Sequence, residues 1–101
     1  MKSANLESRL AALAAAGGTI TYGELARELG VRMSELTSQL EALMEEDAAN
    51  GHPFRAALLR QRLSDDHLPA PGFFLKAQEL DHDISDPGAF VAEHRRRLRS
   101  A

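Results

Sequence analysis

Apolar residues recur along this chain at helical spacing in four places, separated by glycine, proline and acidic breaks. Leu6, Leu10 and Leu13 stand among alanines and predict a first helix that ends at Gly17-Gly18. Thr19-Ile20-Thr21 is β-branched but short, enough for an edge strand or an extended lead-in. Thr21 and Glu24 have the spacing of a capping box, so a second helix runs from Tyr22 to about Leu29, where Gly30 supplies a left-handed stop. A third helix starts near Met33 or Ser34 and reaches about Asn50, with Leu36, Leu40, Leu43 and Met44 on its buried side.

The texture changes after Pro53. "FRAALLRQRL" is readable as a strand leading into a hairpin or as a series of helical turns; the strand is preferred because "LPAPGFF" behind it looks like a turn returning to an aromatic pair. "GFFLKAQEL" begins a short helix and "DHDISD" is a loop. Asp86-Pro87, an N-cap followed by proline at the first helical position, opens a last helix to about Arg99, with Phe90, Val91 and Leu98 inward. No repeat, low-complexity tract or linker divides the chain, so residues 1–101 form one domain, with a core at about 3–75 and a helix at about 86–99. The expected fold is mostly α, a winged-helix-like helix-turn-helix with a short β-hairpin and an added C-terminal helix.

The helix-turn-helix reading rests on particular residues. Ala26 is the small residue that lets two helices cross closely, Gly30 makes the turn, and Leu25, Leu29, Val31, Leu36 and Leu40 hold the pair together. In such a domain the third helix enters the major groove and the wing touches the backbone. The residues facing nucleic acid would be Ser34, Thr37 and Ser38, with Arg32, Arg60 and Arg62 on phosphates.

"GGTITYGELARELG", residues 17 to 30, resembles the DNA-binding domain of methylated-DNA–cysteine alkyltransferases and their alkyltransferase-like relatives, and the likeness continues loosely to "GFF" near Phe73. In that family an extended "TTYG" segment leads into the first helix of a helix-turn-helix. The resemblance implies the shape and not the chemistry. The family's Pro-Cys-His-Arg stretch would fall around "HPFRAALL", where this chain has no cysteine, and the arginine of the family's recognition helix is missing from the third helix. Alkyl transfer is thereby excluded.

Charge complicates the reading. The net charge is −3, but residues 1–52 hold four Lys/Arg against eight Asp/Glu, a net −4, whereas residues 53–101 hold eight against seven, a net +1. Duplex binding draws on neutralised phosphates, and here the reading half is the acidic half. The one basic cluster, "HRRRLR", supplies Arg95, Arg96, Arg97 and Arg99 as an electrostatic arm for nucleic acid or an acidic partner. In self-association that arm would meet Glu41, Glu45, Glu46 and Asp47 of another copy. Two partner classes follow: double-stranded DNA, read by a regulatory domain, or a protein, whether a second copy or an acidic partner, held on the same scaffold. Exposed arginines clustered beside the third helix favour the first. An apolar patch around Phe73, Phe74 and Phe90 favours the second.

The remaining chemistry is thin. His52, His67, His82 and His94 include "DDH" and "DHD" neighbours, but adjacent residues diverge and a zinc site needs convergence from separate segments. Ser34, Ser38 and Ser64 lack a nucleophile-elbow setting, and no glycine-rich loop is placed for a phosphate. No catalytic residue, metal or cofactor is expected. Without cysteine, disulfides and thiolate sites are excluded. "MKSANLESRLAALAAAGG" is broken by Glu7 and Arg9, so it reads as a helix rather than a signal peptide, and no apolar run nears the roughly 20 residues of a membrane span. A cytoplasmic, non-membrane protein is the expectation.

Overall fold

The computed structural model describes residues 5–63 and 65–100. Five α-helices surround a two-stranded sheet: α1 (Leu6–Ala16), β1 (Ile20–Thr21), α2 (Tyr22–Leu29), α3 (Met33–Ala49), a 3-10 turn (Arg55–Leu58), β2 (Leu59–Arg60), α4 (Pro71–Glu79) and α5 (Pro87–Ser100). Ser64 and residues 1–4, which the sequence reading included, lie outside the described residues.

The helix boundaries follow local chemistry. Asn5 caps α1 by accepting from Ser8 N–H at 2.8 Å. Thr21 Oγ1 accepts from Glu24 N–H at 3.2 Å while Glu24 Oε1 accepts from Thr21 N–H at 3.4 Å, the reciprocal pattern of a capping box. The Thr21 N–H and the Thr21 hydroxyl, both donating to Glu24 Oε1, hold the Glu24 carboxyl below its usual value. Gly30 ends α2 at φ 70°, a conformation in which a β-carbon is strained. At α5, Asp86 Oδ1 accepts from Ala89 N–H at 3.1 Å and Pro87 occupies the first turn.

The hairpin expected after Pro53 is absent from the described residues, and "FRAALLRQRL" is not one strand. Ala56 and Ala57 have little β-propensity, and Arg55–Leu58 closes into a 3-10 turn. The two residues that follow, Leu59 and Arg60, pair in parallel with β1, in the register Ile20 to Leu59 and Thr21 to Arg60. Among the described residues no returning strand forms: Pro69 and Pro71 lack the N–H groups a ladder needs, and a backbone bond from Gln61 N–H to Leu68 C=O at 3.0 Å ties the two sides of the loop together.

The C-terminal helix is part of the core. Val91, His94 and Leu98 are buried and α5 packs on α1 and the 3-10 turn, so the core runs past residue 75 to Leu98. Leu10, Leu25, Leu36, Phe54 and Leu59 are fully buried, and a side chain of that size contributes roughly 2–3 kcal/mol on burial. Phe54 sits at the centre of an aromatic cluster, edge-on to Phe73 at 6.0 Å and stacked on the His94 ring at 5.2 Å.

His94, 4% exposed, uses Nδ1 to accept the Phe54 N–H at 2.8 Å. Burial, with the His82 and Arg97 charges, pushes its pKa down to about 4; Glu93 and Asp47 oppose this weakly. Protonation at Nδ1 would also set a donor against a donor. The unfolded histidine titrates near 6.5, so the unfolded chain binds the extra proton between pH 6.5 and 4. The resulting stability is complete above pH 6.5 and is lost as pH falls toward 4, on the order of 3 kcal/mol in all. An NMR titration should place the His94 midpoint well below the ordinary histidine value of about 6.5, with the urea midpoint declining over the same window. A midpoint near 6.5 for His94 would show that the imidazole is not held neutral.

Candidate functional site

α3 carries the residues that sequence reasoning assigned to nucleic acid. Ser34 and Ser38 are exposed and make no side-chain bond among the described residues. Thr37 is exposed too, but its hydroxyl donates back to Met33 C=O at 3.0 Å. Arg32 precedes the helix, and its backbone N–H is held by Glu35 Oε1 at 3.0 Å. Its guanidinium lies 3.8 Å from the same carboxylate and is 87% exposed.

The two arginines assigned to the wing part company. Arg60 is half-buried on β2 and its Nε donates to Thr19 Oγ1 at 3.1 Å, which ties it to the strand pairing. Arg62 is exposed and lines a groove beside α3.

The basic arm does not gather as one surface. Arg95 turns inward: Nε donates to Ala57 C=O at 2.7 Å, and Nη2 to His67 C=O at 2.8 Å and Leu59 C=O at 3.3 Å. Burial pulls its pKa down, a cost those three carbonyls offset. Arg96 pairs with Glu93 at 2.6 Å, Arg99 lies against Gly17, and Arg97 is exposed.

The acidic face of α3 is likewise spent within the molecule. Asp47, 1% exposed, accepts from Arg55 Nη2 at 2.7 Å, Arg55 Nε at 3.0 Å and Arg55 N–H at 3.0 Å. Glu46 stands 3.6 Å from the same guanidinium. Glu45 accepts from Lys76 Nζ at 2.6 Å, a bond that raises the lysine pKa. Glu41 makes no ion pair or side-chain hydrogen bond among the described residues. Docking of an arginine arm on all four carboxylates of a second copy therefore has no counterpart here.

What remains open is a groove of about 400 Å³ between α3, α4 and the loop after β2. Met33, Thr37, Leu40, Glu41 and Met44 form its α3 wall, at the spacing of one helical stripe. Tyr22, Gln61, Arg62 and Phe73 face them. The Tyr22 hydroxyl accepts from Ala70 N–H at 2.9 Å, and burial raises its pKa, so it acts as a fixed wall. The volume falls in the range of ligand and peptide sites, apolar with few polar groups. A second, shallower groove shares Gln61 and is bordered by Phe74, Leu75 and Ile84. Among the described residues the large exposed hydrophobics are Met33 (48%), Leu63 (87%) and Leu75 (62%), the first and last bordering these grooves and Leu63 adjoining Arg62. Phe73 is buried, and Phe74 and Phe90 are half-buried.

Sequence reasoning missed this groove because its walls come from four separated segments. His94 and Asp47 were also missed, although both sit on buried stripes visible in the spacing. No three His, Asp or Glu side chains converge as a metal-ligand set among the described residues, and no described helix is long and apolar enough to cross a membrane. Comparison with protein families, characterised proteins and solved structures finds no match for this chain.

The Asp47–Arg55 pair carries a stability consequence. Asp47→Ala leaves a mostly buried guanidinium and the Arg55 N–H without their acceptor, so urea denaturation should show a loss of about 3 kcal/mol or more. Asp47→Asn should lose less, since it keeps one acceptor. A loss under about 1 kcal/mol in the alanine variant would mean that the pair behaves as a solvated surface bridge.

Proposed function

We propose that this chain is a protein-interaction domain on a helix-turn-helix-type scaffold, using the groove between α3 and α4 as its docking surface. The observation that carries this reading is the apolar groove itself, edged by exposed Met33 and adjoined by exposed Leu63. The charges sequence reasoning offered to DNA weaken the competing reading: Arg60 and Arg95 are engaged with the protein, and unpaired Glu41 would face an approaching phosphate. The winged-helix likeness, and the resemblance to alkyltransferase DNA-binding domains, enter this proposal as a shape only: α2, Gly30 and α3 would supply the crossing pair, and the loop closed by Gln61 and Leu68 would serve as the wing.

Nucleic-acid binding is the second reading, and one observation favours it. The far-end carboxylates of α3 are neutralised by Arg55 and Lys76, which leaves Arg32, Ser34 and Ser38 exposed at its start with Arg62 across the groove.

One experiment separates them. Met33 is replaced by a benzoylphenylalanine photo-crosslinker in the full chain, irradiated in the native cells, and the adducts are sorted into protein and nucleic acid. Protein adducts that vanish when Thr37→Arg blocks the groove support the interaction reading; nucleic-acid adducts overturn it. In parallel, a labelled random duplex is titrated across a salt series with the chain and an Arg32→Ala/Arg62→Ala variant. The interaction reading expects no salt-sensitive binding. Affinity that falls steeply with salt, with a shallower slope in the variant, would establish phosphate contact instead.

A further inference from the structure

The groove is apolar, but its rim is charged in a particular way. Glu41 stands on the α3 wall and Arg62 on the facing wall. Neither makes an ion pair or side-chain hydrogen bond among the described residues, whereas every other carboxylate of α3 does. Directly after Arg62 comes Leu63, which does not line the groove and is 87% exposed, the most exposed of the large hydrophobics. One surface thus carries an apolar recess, an apolar knob beside it, and one unpaired charge of each sign.

That inventory is self-complementary. In a twofold contact, residue i of one copy meets residue j of the other and j meets i. We infer that the groove's occupant is a second copy of this chain: each copy seats Leu63 in the other's groove and sets Arg62 against the other's Glu41. The inference rests on the interaction reading above and names its partner.

Alternative occupants fit less well. A duplex brings phosphates toward Glu41, and an acidic peptide does the same. A purely apolar ligand leaves both rim charges without partners as water is excluded, which costs free energy. The twofold arrangement forms the Arg62–Glu41 pair twice, once at each symmetry-related contact, and covers Leu63. A small specific interface buries about 1,200 Å² in total, so each copy would contribute roughly a tenth of its 6009 Å² surface. That is a modest contact, suited to a reversible dimer.

The test is sedimentation of the full chain from about 1 μM to about 1 mM, without nucleic acid, beside three variants: Glu41→Arg, Arg62→Glu and Leu63→Asp. All three positions are exposed, so circular dichroism should show each variant folded. The wild type should dimerise. Each variant alone should weaken dimerisation about tenfold or more: either charge reversal sets like charges together at both symmetry-related contacts, and Leu63→Asp puts a carboxylate into the apolar groove. The discriminating step is an equimolar mixture of Glu41→Arg with Arg62→Glu, in which both contacts become Arg–Glu pairs again. Restored association in that mixture supports the arrangement. A wild type that stays monomeric at the highest concentration, charge variants that dimerise undiminished, or a mixture that stays monomeric each overturns it. Protein adducts at position 33 to another chain, alongside a monomeric wild type, would end this inference while leaving the groove as a docking surface.

Discussion

Residues 53–60, a single 3-10 turn followed by a two-residue strand, are mostly buried, and the rest of the structure depends on satisfying their backbone. Pro53, Phe54 and Ala56 to Leu59 are buried, so the backbone there cannot turn to water for its hydrogen bonds. Two helices serve it, α3 at its start and α5 along its length. Asp47 on α3 takes the Arg55 N–H, His94 on α5 takes the Phe54 N–H, and Arg95 on α5 reaches the carbonyls of Ala57 and Leu59. The parallel pairing with β1 covers Leu59 and Arg60. A two-residue pairing is weak by itself; here it is one of several side-chain and backbone anchors acting on a single segment.

This requirement decides which polar residues remain for function. Asp47, Arg55, Arg95 and His94 look like surface chemistry when the sequence is scanned by composition, yet all four are held by the central segment or hold it. Glu45 and Glu46 are drawn in by cations from α4 and the 3-10 turn. A chain with 12 Lys/Arg and 15 Asp/Glu therefore shows far less usable charge beside α3 than its composition suggests. The unpaired charges on the groove rim are Glu41 and Arg62.

Local signals made the helices legible. Thr21 with Glu24, Gly30, and Asp86 with Pro87 mark boundaries through bonds that span three or four residues, and the structure starts α2 and α5 and ends α2 there. The segment after Pro53 was not legible, because its partner strand lies some forty residues earlier, at Ile20 and Thr21, and nothing in "FRAALLRQRL" records a parallel register. The groove was hidden for the same reason: its walls come from α2, α3, the loop after β2 and α4. Two misses were avoidable. Asp47 continues the stripe of Leu36, Leu40, Leu43 and Met44, and His94 falls between Val91 and Leu98 on the inward side of α5. A polar residue on a buried stripe announces a partner buried with it.

The conflict between a helix-turn-helix pattern in the sequence and a carboxylate-rich third helix resolves along the length of α3. Its last turns are acidic because they anchor the 3-10 turn and α4, a structural duty that would be the same whatever the domain binds. Its first turns are the exposed part, and they present two different surfaces. Ser34 and Ser38 lie outside the groove, whereas Met33, Thr37 and Glu41 lie on its wall. Arg62, across that wall, can meet a phosphate or the carboxylate of another chain, but one guanidinium cannot serve both at once. The same residue thus couples the two readings: occupation of the groove by a protein removes the best-placed cation from any nucleic acid, and the balance between them is set by which partner offers Glu41 a charge it can pair with. A phosphate cannot do so; an arginine can.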